Sequence, residues 1–384
     1  MSYRIERRPF AHANAIYRPL LQQWIGVSER DLLTLSIPVT TNRGRSGHAY
    51  AAVPSSSRRL VIVHSGLGHS FAEDCIWLAE LMRHHSAFVY VEPYGHSPFT
   101  SPYPPMGGAE VFSDVLRSVY QGGLQPLFNE RTATRSKLYS LPLYELGQSA
   151  GAAAMVDAHL DGVTAVAIDG VKRPIEAAVW ISPRLCMNRN RFGPLTRMAL
   201  RGLQGFLRET GGSLERFRES TGFMGLPRFG TGRAYGIDPD SPHDKWLQET
   251  AARGLRPTSF PWPYLADMFR ADADRNHRIH SACDVQLPRV LWALSAHDRM
   301  IDPAGVADLA LELSGRAVFR SHRVPRGTMD GSLQNMVMKI PAHNPFRPDN
   351  LRDMVASIHA FFDEEVRTPC LPMSRDNASY VVRR

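Results

Sequence analysis

A serine between two glycines is the strongest chemical signal in the sequence. The pentapeptide has the pattern G-x-S-x-G and reads Gly147, Gln148, Ser149, Ala150 and Gly151. It lies between an apolar run at 143–146 and an alanine-rich segment that predicts a helix to about Leu160. A turn this sharp needs small residues two positions before and after the serine, and it presents the hydroxyl at the carboxyl end of a strand. The pattern therefore predicts a nucleophilic serine.

The acid that would orient the base is the next residue to find, because a serine hydroxyl reacts only when a base removes its proton. Asp298 is favoured because it follows the apolar run at 290–294, and a carboxylate at the end of a strand can point towards Ser149. Asp302 is the alternative, although its place before Pro303 is typical of a helix N-cap. Without such partners, Ser149 would only cap a helix after a glycine-rich turn.

The base must be chosen among 15 histidines. His343 is preferred because it follows the apolar run at 337–340 and precedes the last predicted helix, where a loop residue can reach the serine. His322 is the alternative, since the segment 318–324 could itself form the last strand of the core. A histidine in the middle of a strand would be held in the sheet, which favours His343.

These residues resemble the nucleophile motif of the α/β-hydrolase superfamily. There the serine, the acid and the histidine follow one another along the chain, and Ser149, Asp298 and His343 have the same order. The resemblance is nearest to the monoacylglycerol lipases, lysophospholipases and serine aminopeptidases, and it covers about residues 60–185 and 288–363. It implies an α/β-hydrolase fold, with a mostly parallel central sheet, flanking helices and a helical cap or lid.

Two loops also resemble the superfamily in part. Residues 65–69 resemble its His-Gly loop, with Ser65 where histidine is usual. Residues 92–97 resemble its Asp-x-Arg-Gly-His-Gly-x-Ser turn, shortened and with Glu92 in place of aspartate. By this resemblance, the oxyanion-hole donors are the backbone N–H groups of Ala150 and of Gly66 or Leu67. Ser65 itself is a weaker candidate nucleophile, because no sharp turn into a helix surrounds it.

Short apolar runs followed by helical periods predict the elements that would position these residues. Strands are expected at about 60–63, 88–91, 143–146, 178–181, 290–294 and 337–340, and helices at about 71–84, 110–120, 150–160 and 351–362. A pair of runs at 32–39 and 49–53, joined by a turn-rich stretch, is typical of an antiparallel hairpin at a sheet edge. The alternation predicts an α/β fold with a mostly parallel sheet.

The alternation stops between residues 184 and 285, where arginine, glycine and aromatic residues dominate. Helical spacing of apolar residues, such as Leu195, Ala199 and Leu203, predicts an amphipathic helical cap there. The expected divisions are 1–183 for the first part of the core, including an N-terminal extension to about residue 30, 184–285 for the cap, 286–366 for the second part of the core and 367–384 for a tail. One catalytic domain interrupted by an insertion follows, because residues 149, 298 and 343 must meet in one site.

Charge and composition limit the partners. The segment 184–285 carries 16 Arg plus Lys and 11 Asp plus Glu, so it holds +5 of the net charge of +8. A basic cap would suit an acidic carrier protein, whereas scattered arginines without a recognition motif argue against nucleic acid. No nucleotide-binding motif or metal-ligand spacing occurs, which predicts neither cofactor nor metal. No run of about 18 apolar residues occurs, so a cytoplasmic protein without a transmembrane segment is expected.

The residues together predict a serine hydrolase. It would cleave an ester, thioester or amide of a hydrophobic or acyl small molecule through an acyl-enzyme, and aromatic residues in the 184–285 insertion favour such a substrate. One alternative is an acyltransferase or cyclase that releases a chain from an acidic carrier protein. A second alternative is a binding protein that has kept the fold and lost catalysis, which the unusual Ser65 and Glu92 permit.

Overall fold

Buried strands and helices alternate along the chain, as the short apolar runs predict. The computed structural model describes residues 12–25, 31–42, 44, 46–93, 96, 98–99, 110–129, 138–186, 242–255, 262–282, 285–294, 298, 301–313 and 351–363. The strands are β1 Leu32–Thr40, β2 Ser46–Pro54, β3 Arg59–His64, β4 Ser86–Glu92, β5 Leu143–Gln148, β6 Ala165–Ile168, β7 Val171–Ile181 and β8 Arg289–Ala293. The helices are α1 Ala13–Ile25, α2 Phe71–Arg83, α3 Glu110–Ser118, α4 Gln125–Asn129, α5 Ala150–Leu160, α6 Pro242–Ala252, α7 Trp262–Ser281, α8 Pro303–Leu313 and α9 Leu351–Asp363.

A mixed, mostly parallel sheet forms the centre of the described residues. Its strand order is β1-β2-β4-β3-β5-β7-β6, and β8 also pairs with β7. The pairs β3–β4, β3–β5, β5–β7 and β7–β8 are parallel, whereas the pairs β1–β2, β2–β4 and β6–β7 are antiparallel. This arrangement confirms the predicted hairpin at the sheet edge and the predicted parallel core. The carboxyl ends of β3, β5, β7 and β8 therefore meet at one edge of the sheet.

Burial explains why the central strands read as unbroken apolar runs. Strands β3, β4 and β5 are buried along their whole length, as expected for parallel strands covered on both faces. Trp180 of β7 stands opposite Trp292 of β8, and the two rings pack edge to face with centroids 4.8 Å apart. The pair fixes β8 next to β7, so the loop that carries Asp298 begins at a defined place.

The flanking helices agree with the predicted segments, and α1, α4 and β6 are additional. Helix α1 packs on α2 and β1, and β6 forms an antiparallel hairpin with the start of β7. Helix α3 ends at Ser118, where a π-helical turn at Val119–Gly123 replaces the last predicted turn. The predicted strand at 337–340 lies outside the described residues. Chain order and pairing otherwise match the expected α/β architecture.

Two described helices, α6 and α7, belong to the segment for which the sequence predicts a cap. The Trp246 indole N–H of α6 donates to the Ala72 carbonyl of α2 at 3.0 Å. The buried Arg275 of α7 donates through Nε and a terminal nitrogen to both carboxylate oxygens of Asp157 on α5, at 2.9 and 2.7 Å. These contacts hold both helices against the core. Residues 187–241, with Leu195, Ala199 and Leu203, lie outside the described residues, so a cap at 184–285 stays a prediction.

Candidate active site

Ser149 occupies a strained turn between β5 and α5. Its backbone has φ 52° and ψ −115°, a combination that few residues other than glycine adopt. Bonds on both sides hold this conformation: the Ser149 N–H donates to the Ile181 carbonyl at 2.9 Å, and the Ser149 carbonyl accepts from the Arg184 N–H at 3.0 Å. The turn has the sharp strand-to-helix geometry that the pentapeptide predicts.

Close packing accounts for the two glycines of the pentapeptide. A Cβ at Gly147 would lie 2.5 Å from the Ala152 Cα, and a Cβ at Gly151 would lie 2.5 Å from the Ser65 carbonyl oxygen and overlap the carbonyl of His64. The first turn of α5 therefore packs directly on the end of β5 and on the end of β3. The residue between Gly147 and Ser149, Gln148, is fully buried at the end of β5.

The loop between β3 and α2 lies against the serine. A Cβ at Gly66 would be 2.9 Å from the Ser149 Cβ and 3.5 Å from the Ser149 Oγ. Leu67 follows in the same loop and is partly exposed, and Ala150 is the first residue of α5. The sequence-predicted oxyanion-hole donors Gly66 and Ala150 thus both border Ser149, and the N-terminus of α5 is directed at the same place.

A buried polar cluster behind this loop was not predicted from the sequence. Asp74 of α2 accepts hydrogen bonds from the Ser65 Oγ at 2.5 Å, the Tyr90 hydroxyl at 2.7 Å and the His69 Nδ1 at 2.9 Å. Burial by itself would raise the pKa of Asp74, but His69, Ser65 and Tyr90 together lower it, so the carboxylate is ionised at neutral pH. Burial, and then the Asp74 charge, raise the pKa of Tyr90 well above its usual range, so its hydroxyl remains a donor.

The same cluster contains the residue types that bind metals. One potential ligand atom each from His69, Glu73 and Asp74 lies within 4.8 Å of the others, and all three side chains are buried. In this structure the oxygens of Asp74 are engaged by protein donors, as described above. The sign of this cluster in the sequence is that positions 69, 73 and 74 lie close together around the start of a predicted helix.

Asp298 lies beyond β8, at the sheet edge that carries Ser149. The Ser182 N–H after β7 donates to the Ala293 carbonyl of β8 at 2.8 Å, so the ends of these two strands are joined. Asp298 is buried, and its Oδ1 accepts a hydrogen bond from the Ile301 N–H at 3.0 Å. The alternative acid, Asp302, accepts from the Ala304 N–H at 3.2 Å, which confirms the predicted N-cap of α8.

The two candidate bases, His343 and His322, lie outside the described residues. Of the predicted site, the described residues thus include the serine turn, the loop of Gly66 and Leu67, and the buried Asp298. This arrangement places a serine hydroxyl beside a loop backbone and the N-terminus of a helix, and acyl transfer would need N–H groups at such a place. The choice of base stays a prediction.

Comparisons with known proteins agree with this architecture. No protein-family model and no curated protein matches the sequence. Among solved structures, a soluble variant of monoglyceride lipase from Saccharomyces cerevisiae in complex with a substrate analog is similar with a TM-score of 0.56 at 12% identity, over 87% of this chain and 95% of that chain. An esterase from Exiguobacterium antarcticum has a TM-score of 0.51 at 10% identity, over 86% and 100%. A carboxyl esterase from Bacillus coagulans has a TM-score of 0.51 at 13% identity, over 86% of this chain and 98% of that chain.

The chain has the α/β-hydrolase fold. Identities this low establish the fold alone, and they confirm the fold class that the serine motif and the alternating elements predict. Among the helices that the structure describes, none combines the length and apolar character needed to cross a membrane.

Within this α/β-hydrolase fold, Glu92 occupies the position where the sequence departs from the superfamily turn. Its carboxylate accepts from the Phe71 N–H at 2.8 Å, and so binds the N-terminus of α2. The same carboxylate accepts from the Tyr17 hydroxyl at 2.9 Å and pairs with the His48 Nδ1 at 2.6 Å. Glu92 therefore links the N-terminal helix α1 and the edge hairpin to the start of α2.

His64, the last residue of β3, should make the α/β-hydrolase fold sensitive to acid. Its ring nitrogens lie 3.0 Å from the Val91 carbonyl and 3.2 Å from the Phe112 carbonyl, and burial lowers the pKa of His64 to about 4. An unfolded histidine titrates near pH 6.5, so between pH 6.5 and 4 the unfolded chain binds more protons than the native chain. His64 therefore leaves the free energy of unfolding unreduced above pH 6.5 and lowers it as the pH decreases towards 4.

Between pH 7 and pH 4, His64 is expected to lower the free energy of unfolding by about 3 kcal/mol, since one pKa unit corresponds to about 1.4 kcal/mol. Urea unfolding at a series of pH values measures it, and His64→Gln should flatten this part of the curve because a neutral amide can donate to a carbonyl and does not titrate. An unchanged slope in His64→Gln would show that another group causes the acid sensitivity.

Proposed function

We propose that the chain is a serine hydrolase that cleaves an ester, thioester or amide bond next to a hydrophobic or acyl group. The observation that carries the proposal is the backbone of Ser149, which has φ 52° at the end of β5 while Gly66 lies against its side chain. A strained serine persists when the surrounding structure holds it, and here the strain presents a hydroxyl beside two sets of backbone N–H donors.

The first half of the reaction forms an acyl-enzyme. His343 removes the proton from the Ser149 Oγ, and the oxygen attacks the carbonyl carbon of the substrate. The carbonyl oxygen becomes an oxyanion that accepts hydrogen bonds from the N–H groups of Ala150 and of Gly66 or Leu67, each worth roughly 3 to 4 kcal/mol in comparable enzymes. Asp298 stabilises the imidazolium. The bond to the leaving group then breaks, and the leaving group takes the proton from His343.

The second half of the reaction releases the acid. His343 removes a proton from water, and the hydroxide oxygen attacks the acyl carbon of the ester with Ser149. The same N–H groups stabilise the second oxyanion. The bond between the acyl carbon and the Ser149 Oγ breaks, the serine oxygen regains a proton from His343, and the free enzyme is restored. No cofactor or metal is required by this sequence of steps.

Two considerations favour a carboxylic ester of an acyl chain as the substrate. The similar solved structures include a monoglyceride lipase and a carboxyl esterase, whose names indicate ester substrates. The sequence of the predicted cap is rich in aromatic residues, which would suit an apolar group. A p-nitrophenyl ester of an acyl chain is therefore the first substrate to test.

Covalent labelling with a fluorophosphonate tests the proposed function. The full chain is incubated with the probe, and the labelled peptide is identified by mass spectrometry, with heat-denatured protein as the control. We expect one label per chain on the peptide that contains Ser149, together with hydrolysis of p-nitrophenyl esters. Native protein that takes up no label, or label at another residue, would refute the proposal.

The base is tested by replacing the two candidate histidines separately. His343→Ala is expected to lower kcat/KM for a p-nitrophenyl ester by about 10³-fold or more, because no other group would accept the serine proton. His322→Ala serves as the matched control and should stay within about threefold of the wild type if His322 makes no contact with the reacting atoms. The reverse result would assign the base to His322.

A further inference from the structure

The loop between β3 and α2 carries an expected oxyanion-hole donor, and its position relative to Ser149 is tight. A Cβ at Gly66 would already be 2.9 Å from the Ser149 Cβ, so the loop backbone is in van der Waals contact with the nucleophile. Displacing a catalytic donor by about 1 Å can cost about 100-fold in rate. Whatever fixes this loop therefore affects the reaction directly.

One carboxylate bridges the two sides of the loop. Ser65 precedes Gly66 and donates its hydroxyl to the Asp74 Oδ2 at 2.5 Å, whereas His69 lies two residues after Leu67 and its Nδ1 pairs with the Asp74 Oδ1 at 2.9 Å. Because the two oxygens of a carboxylate have a fixed separation, these two bonds set the width of the loop. The backbone bond from the His69 N–H to the Gly66 carbonyl, at 3.2 Å, closes the turn between them.

The carboxylate is itself anchored to the rest of the fold. Asp74 lies in the first turn of α2, and its Oδ2 also accepts from the Tyr90 hydroxyl at 2.7 Å. Tyr90 belongs to β4, next to β3, where it stands opposite Val63 in the parallel ladder. At the start of the same helix, Glu92 accepts from the Phe71 N–H at 2.8 Å. The helix that carries Asp74 is thus tied to the sheet at two points.

We propose that Asp74 is a positioning residue that holds the N–H groups of Gly66 and Leu67 where the oxyanion forms. The inference rests on the proposed function and adds to it a residue that touches neither the substrate nor the reacting atoms. It also accounts for Ser65, which replaces the usual histidine of the superfamily loop, because a serine hydroxyl reaches Asp74 across the loop.

Asp74→Asn tests the role with little change in volume. An amide replaces one accepting oxygen with an NH₂ donor, so at least one of the bonds that Asp74 now accepts from Ser65, Tyr90 or His69 must break or reverse its direction. The loop is then expected to shift together with the N–H groups of Gly66 and Leu67, while groups outside this loop keep their positions. We expect kcat for p-nitrophenyl butyrate to fall by about 10- to 100-fold and KM to stay within about twofold.

A tetrahedral inhibitor distinguishes a displaced oxyanion hole from a general loss of stability. A trifluoromethyl ketone forms an anionic adduct on the serine, so its affinity for Asp74→Asn should fall by a factor close to that of kcat. Glu145→Gln is the matched control, because Glu145 is also buried and bonds a tyrosine and a histidine, Tyr120 at 2.5 Å and His159 at 3.1 Å. This control should lower the melting temperature but leave kcat and ketone affinity unchanged.

The outcomes separate the positioning role from the proposed function. If the wild type hydrolyses the ester and is labelled at Ser149 while Asp74→Asn keeps its kcat, the function stands and the role of Asp74 is wrong. Equal losses of kcat in Asp74→Asn and Glu145→Gln would also overturn that role. A wild type that is neither labelled nor active would refute the function itself.

Ser65→Ala is the second variant, and it tests the positioning role of Asp74 if Asp74→Asn does not fold. It removes one of the two bonds across the loop and introduces no mispaired group. We expect kcat to fall by about 3- to 10-fold with KM retained and with the same fractional loss of ketone affinity. A wild-type kcat in a folded Ser65→Ala protein would overturn the proposal.

Discussion

Ser149→Ala is expected to lower kcat/KM for ester hydrolysis by about 10⁴- to 10⁶-fold and to abolish labelling by a fluorophosphonate. In the proposed mechanism this hydroxyl forms the acyl-enzyme, and no second hydroxyl could take its place without the same turn. Alanine keeps the Cβ of serine, so the backbone at φ 52° experiences no additional steric strain. The free energy of unfolding should therefore change by no more than about 1 kcal/mol.

Ser182→Ala is the matched control for this variant. Ser182 also follows a strand of the sheet, has a positive φ of 41° and is buried, but no helix begins within the described residues 182–186 that follow this strand. Its replacement should leave kcat/KM within about threefold of the wild type. Wild-type activity in Ser149→Ala would show that this serine is not the nucleophile, whatever the result of the control.

Gly151→Ala is expected to destabilise the fold by more than about 3 kcal/mol or to prevent folding altogether. The added methyl group would overlap the His64 carbonyl and lie 2.5 Å from the Ser65 carbonyl oxygen. Both are backbone atoms at the end of β3, so relief requires α5 to separate from the sheet. That movement would also shift Ser149 away from Gly66. Urea unfolding monitored by tryptophan fluorescence measures the effect.

Gly162→Ala is the matched control for the effect of a methyl group on glycine near the same helix. Gly162 follows the end of α5 with φ +75°, and a Cβ there meets nothing within 4 Å. Gly162→Ala should lower the free energy of unfolding by about 1 kcal/mol, because alanine is less stable than glycine in this left-handed backbone conformation. Equal decreases in the free energy of unfolding in Gly151→Ala and Gly162→Ala would contradict the close approach of α5 to β3.

Sequence patterns were sufficient for the elements whose burial follows a local rule. The fully buried strand β3 appears as an unbroken apolar run, and the edge hairpin appears as two runs around a turn-rich stretch. Helix α1 was missed because Pro19 interrupts its pattern, and β6 was missed because four residues are too few to show a period. Both depend on their tertiary neighbours, α2 for the helix and β7 for the strand.

The sequence by itself determined the place of the strained serine turn. The steric demands of the turn fall on residues two positions from Ser149, so a pentapeptide contains the whole requirement. Only the tertiary structure decided what supports the site. Asp74 meets Ser65 and Tyr90, and Glu92 meets Tyr17 from 75 positions away. No spacing rule joins such residues, because their contacts form only after burial of the sheet brings α1, α2 and β4 together and obliges each buried polar group to find a partner.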